Sequence, residues 1–244
     1  MRKIIAYPLS VLYTLLFGLT LLVFDPIQRV SNRVFGYSGL KRTVSFLNFF
    51  LIKCNITLGT RHSFNNLYKI PKDTPLIIVA NHQSMHDIPP IIWHMRAHHP
   101  KFVSKIELGK GIPSVSYNLR YGGSVLIDRK DPKQALREIA KLGTYIEEHK
   151  RSAVIFPEGT RSKTGKPKKF QTTGLKLLLK KAPSALIIPI SINDSWKIHR
   201  YGKFPYGIGT HVIFDVHKPI KNEGNLDKLI TEIEQQIKMG VTSF

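Results

Sequence analysis

Hydrophobic and polar positions divide this chain into two unlike parts, with the change near Gly59. Between Ile4 and Phe24 no residue is charged, and Leu, Val, Phe and Tyr are frequent. Such a run predicts a membrane helix, since about 20 apolar residues cover a hydrocarbon core. Arg2 and Lys3 precede it, and Asp25-Pro26, Arg29, Arg33, Lys41 and Arg42 follow. The run is longer than the apolar core of a secretory signal and no small-x-small cleavage site follows it, so it reads as a retained anchor. Pro8, with basic residues on both sides, leaves open a re-entrant or in-plane helix instead of a full span. A second stretch, Val44 to Leu58, is apolar apart from Asn48, Lys53, Asn55 and a few hydroxyls. It fits a helix at the interface, one packed on the first, or an ordinary core helix. Residues 1–58 are thus expected to be membrane-associated helices and residues 59–244 a folded domain.

Beyond Gly59 short apolar runs alternate with amphipathic ones. Leu76 to Ala80 reads as a buried strand. Pro89-Pro90 can open the next helix, because proline is tolerated in a first turn. Phe102–Ser104 and Ser124–Ile127 read as two more strands. Asp131-Pro132 is an N-cap with proline behind it, and Ala135, Ile139, Leu142 and Ile146 recur at helical spacing to about Lys150. Ala153–Phe156 is a strand, and Thr173–Lys181 a short helix with Leu175, Leu178 and Leu179 inward. Ala185–Ile190 is a strand whose Pro189 suggests an edge or a bulge. His211–Val216 is a strand, and Leu226, Leu229, Ile230, Ile233 and Ile237 mark a closing helix. Strands alternating with helices predict an α/β layer structure.

Charge narrows the class of partner. Lys and Arg number 37 against 16 Asp and Glu, a formal +21, which calls for an anionic partner. With an apolar N-terminal run, that partner is membrane lipid or a phosphorylated or acidic substrate. Nucleic acid is not expected, because no binding motif with aromatic platforms or a basic helix is present. The single cysteine, Cys54, excludes an internal disulfide.

Two polar strings follow strands. The first is Asn81-His82-Gln83-Ser84-Met85-His86-Asp87. His82 and Asp87 would sit about 140° apart on a continuous helix, so they meet only if the chain turns between them. If they meet, the carboxylate fixes the imidazole, and His82 can take a proton from a hydroxyl. Asp87 equally suits an N-cap ahead of Ile88-Pro89-Pro90. His82 and His86 have the spacing of H-E-x-x-H, but Gln83 replaces the glutamate, and His94, His98 and His99 add no diagnostic spacing. Those later histidines read as surface or interface residues, and no metal is expected. The second string is Phe156-Pro157-Glu158-Gly159-Thr160-Arg161-Ser162. It is a tight polar turn in which Arg161 can grip a phosphate, or a plain surface turn. Lys105 and Arg129 each follow a short strand and could converge on one anion.

Taken together, these blocks resemble the 1-acylglycerol-3-phosphate O-acyltransferase (lysophosphatidic acid acyltransferase) family. The resemblance rests on Asn81-His82-x4-Asp87, and on Lys105-x-Glu107-Leu108 through Ile112-Pro113 to Gly123-x-x-x-Ile127-Asp128-Arg129. Phe156 to Ser162 and Ile188-Pro189-Ile190 complete it, in the family's order. Leu126 stands where the family often has Phe. The apolar N-terminal part is similar to the membrane-docking helices of such enzymes.

The resemblance implies a mixed central sheet flanked by helices. It implies acyl transfer from a thioester, either acyl-coenzyme A or acyl-acyl carrier protein, to the sn-2 hydroxyl of lysophosphatidic acid. It makes His82 the general base and Asp87 its orienting carboxylate. Lys105, Arg129 and Arg161 would hold the phosphate, and Glu158 would position the glycerol. Gly159 and Thr160 would shape the turn, and Asn81 would support the loop or the oxyanion. No Gly-x-Ser-x-Gly elbow is present, so no acyl-enzyme is expected. Lys163, Lys166, Lys168 and Lys169 are either a docking loop for the acidic donor or a solvated basic loop. The family setting implies a bacterial inner membrane, with the catalytic domain on the cytoplasmic side.

Overall fold

The computed structural model describes residues 2–242. Its first element, α1 (Arg2–Cys54), leaves helical geometry once, at Gly36 (φ 56°, ψ −146°). That backbone conformation is one glycine enters without penalty. The chain doubles back there, so residues 2–35 and 37–54 form an antiparallel hairpin. Thr20 Oγ1 meets Cys54 Sγ at 3.6 Å, the Phe24 and Phe50 rings lie 5.7 Å apart, and Leu21 packs on Leu47 and Leu51. The second stretch packs against the first helix, and its Val44, Cys54 and Leu58 also join the main core. The first helix does not end at Asp25-Pro26. Next to this proline Ser114 donates its hydroxyl proton to Leu21 O (2.6 Å) and its N–H to Asp25 Oδ1 (2.7 Å), and the helix runs on.

The long arm has two faces. Ala6, Ser10, Tyr13, Leu21 and Gln28 are buried against the rest of the molecule. Ile4, Val11, Leu15, Leu19, Leu22, Val30 and Val34 are exposed. Polar contacts pin the inner face along its length. Tyr206 N–H donates to Ser10 Oγ (2.8 Å), Tyr13 Oη meets His86 Nε2 (2.8 Å), and Asn32 Nδ2 donates to Tyr117 Oη (2.9 Å).

The remaining elements are β1 (Arg61–Asn65), β2 (Leu76–Ala80), α2 (Ile88–His94), β3 (Pro100–Lys105), α3 (Val115–Tyr121), β4 (Val125–Ile127) and α4 (Pro132–His149). They continue with β5 (Ser152–Ile155), α5 (Thr172–Lys181), β6 (Leu186–Asn193), β7 (His211–Val216), β8 (Ile220–Lys221) and α6 (Leu226–Met239). Strand order is β1-β7-β6-β2-β5-β3-β4, with β8 also on β6. Pairs are parallel except β6–β7 and β6–β8, so the sheet is mixed and α/β, as expected. Alternating side chains feed two cores. Ile78 and Ala80 of β2 join Leu40, Val44 and Ile91 on the hairpin side. Ile77 and Val79 join Ile139, Leu175 and Ile233 on the side of α4, α5 and α6. A strand buried on both faces is apolar throughout, which is why Leu76 to Ala80 was legible.

Pro189 does not mark an edge. β6 is an interior strand, and Pro189 opposes Val79 of β2. On its other side the antiparallel partner changes from β7 to β8, and Pro189 O accepts from His217 N–H at 2.9 Å. The absent proline donor falls in that gap, where no ladder bond is lost.

Replacing Tyr13 by Phe keeps the ring and removes the partner of Nε2 of buried His86. The variant is expected to lose about 1–3 kcal/mol of stability, read as a lowered midpoint in chemical denaturation.

Candidate active site

β2 and β5 lie side by side and parallel, with Val79 opposite Ile155. The segments leaving their C-terminal ends therefore emerge together, where α/β sheets carry their sites. Ser162 N–H donates to His82 O at 2.7 Å and ties the two loops. Phe156 stacks on the His82 imidazole at 4.2 Å and 15°. Gly159 sits at φ +70°, and the turn is closed by its own N–H to Phe156 O (3.0 Å). A side chain at that φ would be strained.

The chain turns between His82 and Asp87 through a single 3-10 turn, Met85–Asp87, capped by Ser84. His82 Nδ1 lies 2.8 Å from Asp87 Oδ2. The same oxygen accepts the N–H groups of Gln83 (2.7 Å) and Ser84 (2.9 Å). Asp87 makes no side-chain cap to α2, so its carboxylate reaches back to the loop and not forward to the helix. Burial alone would raise the Asp87 pKa. The His82 hydrogen bond and charge, with the Ser84 N–H, outweigh it and hold the carboxyl below its ordinary range. An ionised Asp87 keeps the Nδ1 proton facing it. Nε2 is then the basic nitrogen, available to the cavity that His82 lines.

That cavity measures about 1290 Å³. His82, Lys105, Arg129, Gly159, Thr160, Arg161 and Lys163 line its polar part. Lys105 pairs with Ile127 in register, which brings Arg129 alongside. An apolar part is walled by Val103, Leu108, Ile127, Leu136, Ile139 and Ile155. The structure thus brings the three cations and the histidine to one space. Trp196 and His199 line it too, from a turn after β6 that carried no sequence signal.

Two proposed site residues stand behind the cavity. Asn81 is fully buried, its amide donating to Ile192 O (2.9 Å) and its oxygen accepting Ile192 N–H (2.7 Å). One amide N–H and the amide oxygen of Asn81 are thus engaged with β6, which ties the loop to that strand. Glu158 is 5% exposed and is not part of the cavity wall; its Oε1 accepts His82 N–H at 3.3 Å. Lys168 Nζ donates to Thr160 Oγ1 and Arg161 O, both at 2.8 Å, so this lysine braces the turn. Of the later histidines, read as surface or interface residues, His98 is buried. Among the described residues, no three His, Cys, Asp or Glu side chains gather as a metal site.

Residues 61–193, just over half of the chain, match the family described as acyltransferase. The chain belongs to the acyltransferase family. Within it, this member is 36% identical over 133 residues to a 1-acyl-sn-glycerol-3-phosphate acyltransferase of Helicobacter pylori. That match covers 51% of the chain and 54% of the relative. It is 30% identical over 221 residues to a chloroplastic 1-acyl-sn-glycerol-3-phosphate acyltransferase of Arabidopsis thaliana, covering 88% and 56%. The chain thus spans about half the length of these two relatives. A crystal structure of the 1-acyl-sn-glycerophosphate acyltransferase PlsC of Thermotoga maritima superposes with a TM-score of 0.78 at 25% identity, covering 98% of this chain and 96% of that one. The acyltransferase match begins with β1 and ends with β6, and so contains both loops of the site.

Burial pushes the Glu158 pKa up to about 7, against the opposing N–H groups of His82 and Lys168 and the Lys168 charge. An unfolded Glu titrates near 4.3. Between those values the folded chain holds a proton that the unfolded chain has released, so stability falls as pH rises through the window. Denaturation midpoints from about pH 4.5 to 7.5 should show that decline in the wild type, and Glu158→Gln should remove this component of it.

Proposed function

We propose that the protein transfers a fatty acyl group from an acyl thioester to the sn-2 hydroxyl of lysophosphatidic acid, giving phosphatidic acid. The observation that carries this reading is one cavity holding a carboxylate-oriented histidine, three cations and an apolar wall. The 1-acyl-sn-glycerol-3-phosphate acyltransferases it matches support the choice of acceptor.

In this reading Lys105, Arg129 and Arg161 hold the acceptor phosphate, with Arg161 suited to a bidentate grip. His82 Nε2 takes the proton of the sn-2 hydroxyl as that oxygen attacks the thioester carbonyl. A C–O bond forms, the C–S bond breaks, and the proton passes from His82 to the departing thiolate. Asp87 stabilises the imidazolium that exists between those two events. The thioester is already activated, so no acyl-enzyme is needed. Thr160 Oγ1 accepts from Lys168, which leaves its own proton to donate into the cavity. Val103, Leu136 and Ile139 offer the apolar contact a fatty chain requires.

The donor is a coenzyme A or acyl carrier protein thioester. Both are acidic, and Lys163, Lys166 and Lys169 remain as docking cations once Lys168 is committed to the turn. No metal or bound cofactor enters the scheme.

The hairpin serves as membrane dock in this reading. Contacts to the α/β domain run from Ser10 to Asn32, about 33 Å of helix at 1.5 Å per residue. A helix held flat to the domain over that length favours lying in one interface over crossing the bilayer, although its length and composition allow a span. We place the domain on the cytoplasmic side of a bacterial inner membrane, where those donors are found.

Detergent-purified protein given lysophosphatidic acid and a labelled acyl thioester should form labelled phosphatidic acid. His82→Ala should lower kcat by about 10²–10⁴-fold. Arg161→Ala should weaken the acceptor KM about tenfold or more. Product with another lysolipid, and none with lysophosphatidic acid, would move the reading to a sister acceptor. Full activity in His82→Ala would remove the histidine from its role.

A further inference from the structure

On the hairpin side of β3, away from His82, several basic groups gather with no carboxylate among the described residues near them. Lys101 is 7% exposed. Among the described residues its ammonium has no hydrogen-bond acceptor, only the Tyr37 ring, whose centroid is 4.7 Å away. Arg151 lies over the same ring at 3.8 Å. Lys41 Nζ and Tyr37 Oη sit 2.8 Å from His99 Nε2 and Nδ1 respectively.

The bonding fixes the protons. An ammonium only donates, so His99 Nε2 accepts from Lys41. Nδ1 then carries the proton of the neutral ring and donates it to the Tyr37 oxygen. The Tyr37 hydroxyl proton is left free to donate elsewhere. Burial, then the charges of Arg151 and Lys41, push Lys101 down to about 7. Burial and the surrounding cations push His99 to about 4. His99 also holds a left-handed backbone (φ 52°), uncommon for a residue with a side chain.

An ammonium that faces other cations and ring faces and meets no protein acceptor is under-compensated, since ring faces supply only a weak attraction. A missing anion explains the arrangement. A pocket of about 30 Å³ opens there, lined by Tyr37, Lys41, Ser45, Arg96, His99 and Lys101. It admits about two oxygen-sized atoms. It shares only Phe102 with the cavity at His82. Exposed aromatic residues stand beside its lining residues in the sequence. Phe35, two residues before Tyr37, is 70% exposed, and Phe46, 54% exposed, packs on Trp93 at 6.3 Å. Arg96 in turn covers the Trp93 ring at 4.2 Å. Aromatic rings beside cations are the composition of a bilayer interface.

We propose that this pocket is a second anion site, separate from the acceptor cavity, that takes the phosphate of an anionic lipid head at the membrane surface. Two phosphate oxygens enter. Lys101 and the Tyr37 hydroxyl donate to them, while Arg96 and Lys41 balance the charge. The proposal rests on the membrane-docking reading above, and binding to neutral vesicles tests that reading by itself.

The test uses the full chain. Flotation is measured with phosphatidylcholine vesicles, and with the same vesicles containing phosphatidylglycerol. Thermal melts are recorded with and without inorganic phosphate at constant ionic strength. Lys101→Met and Tyr37→Phe are compared with wild type, each checked for folding by circular dichroism. Both should lose about tenfold of the phosphatidylglycerol-dependent binding and keep the phosphatidylcholine binding. Phosphate should raise the melting temperature of wild type and not of Lys101→Met. A phosphate shift that depends on Lys101, with phosphatidylglycerol binding unchanged in both variants, would overturn the lipid source in favour of a soluble phosphate. No phosphate shift, together with variants that bind like wild type, would overturn the site. Tyr37→Phe removes one oxygen only, so it still decides if Lys101→Met fails to fold.

Discussion

Oδ2 of Asp87, sunk beneath the surface, accepts from the His82 ring and from two successive backbone N–H groups. Without that carboxylate, three donors would be stranded in a region closed to water, and the loop after β2 would have no reason to turn there. The turn in turn sets Ser84 against Ser195 at 2.6 Å and His86 against Tyr13. One charge thus organises the histidine, the return of the chain into α2, and the seat of the N-terminal helix. Removing it would disturb geometry and fold together, so loss of activity in such a variant says little about chemistry alone.

The hairpin is part of the same solid. Tyr13, Leu40 and Val44 lie in one continuous core with Ile78, Ile190 and Phe214. The helix that presents Ile4, Leu15 and Val30 outward is thus fixed to the loop that carries His82. In the proposed reading this rigidity sets the depth of the acceptor cavity relative to lipid. A flexible anchor would leave that distance to chance.

Much of this was legible in the residues. Leu76 to Ala80 and His211 to Val216 were read at their observed limits, because both are apolar or alternating runs bounded by polar residues. β1 escaped notice because Arg61-His62-Ser63-Phe64-Asn65 has no apolar stripe. It is an edge strand held by parallel pairing with β7 alone. Pro189 left open an edge or a bulge because a one-sided ladder gap inside a sheet leaves the same trace as either. The contacts of Ser114 with Asp25 and Leu21 could not be foreseen, because Ser114 lies far along the chain. At the site, the spacing of His82 and Asp87 named the pair, but no pattern foretells that Glu158 accepts the backbone N–H of His82. Lys101 gave no sign at all, since its isolation is a property of what surrounds it in space.

The docking of the long arm also dictates an order of events during synthesis. Ser10 and Tyr206 touch, yet 196 positions separate them. At about 5–20 residues per second the ribosome needs roughly 10–40 s to deliver the second partner after the first. Through that interval an apolar helix exists without the surface that covers its inner face. Ala6, Ser10 and Tyr13 must meanwhile be sheltered by lipid or by a chaperone until the distant segment arrives.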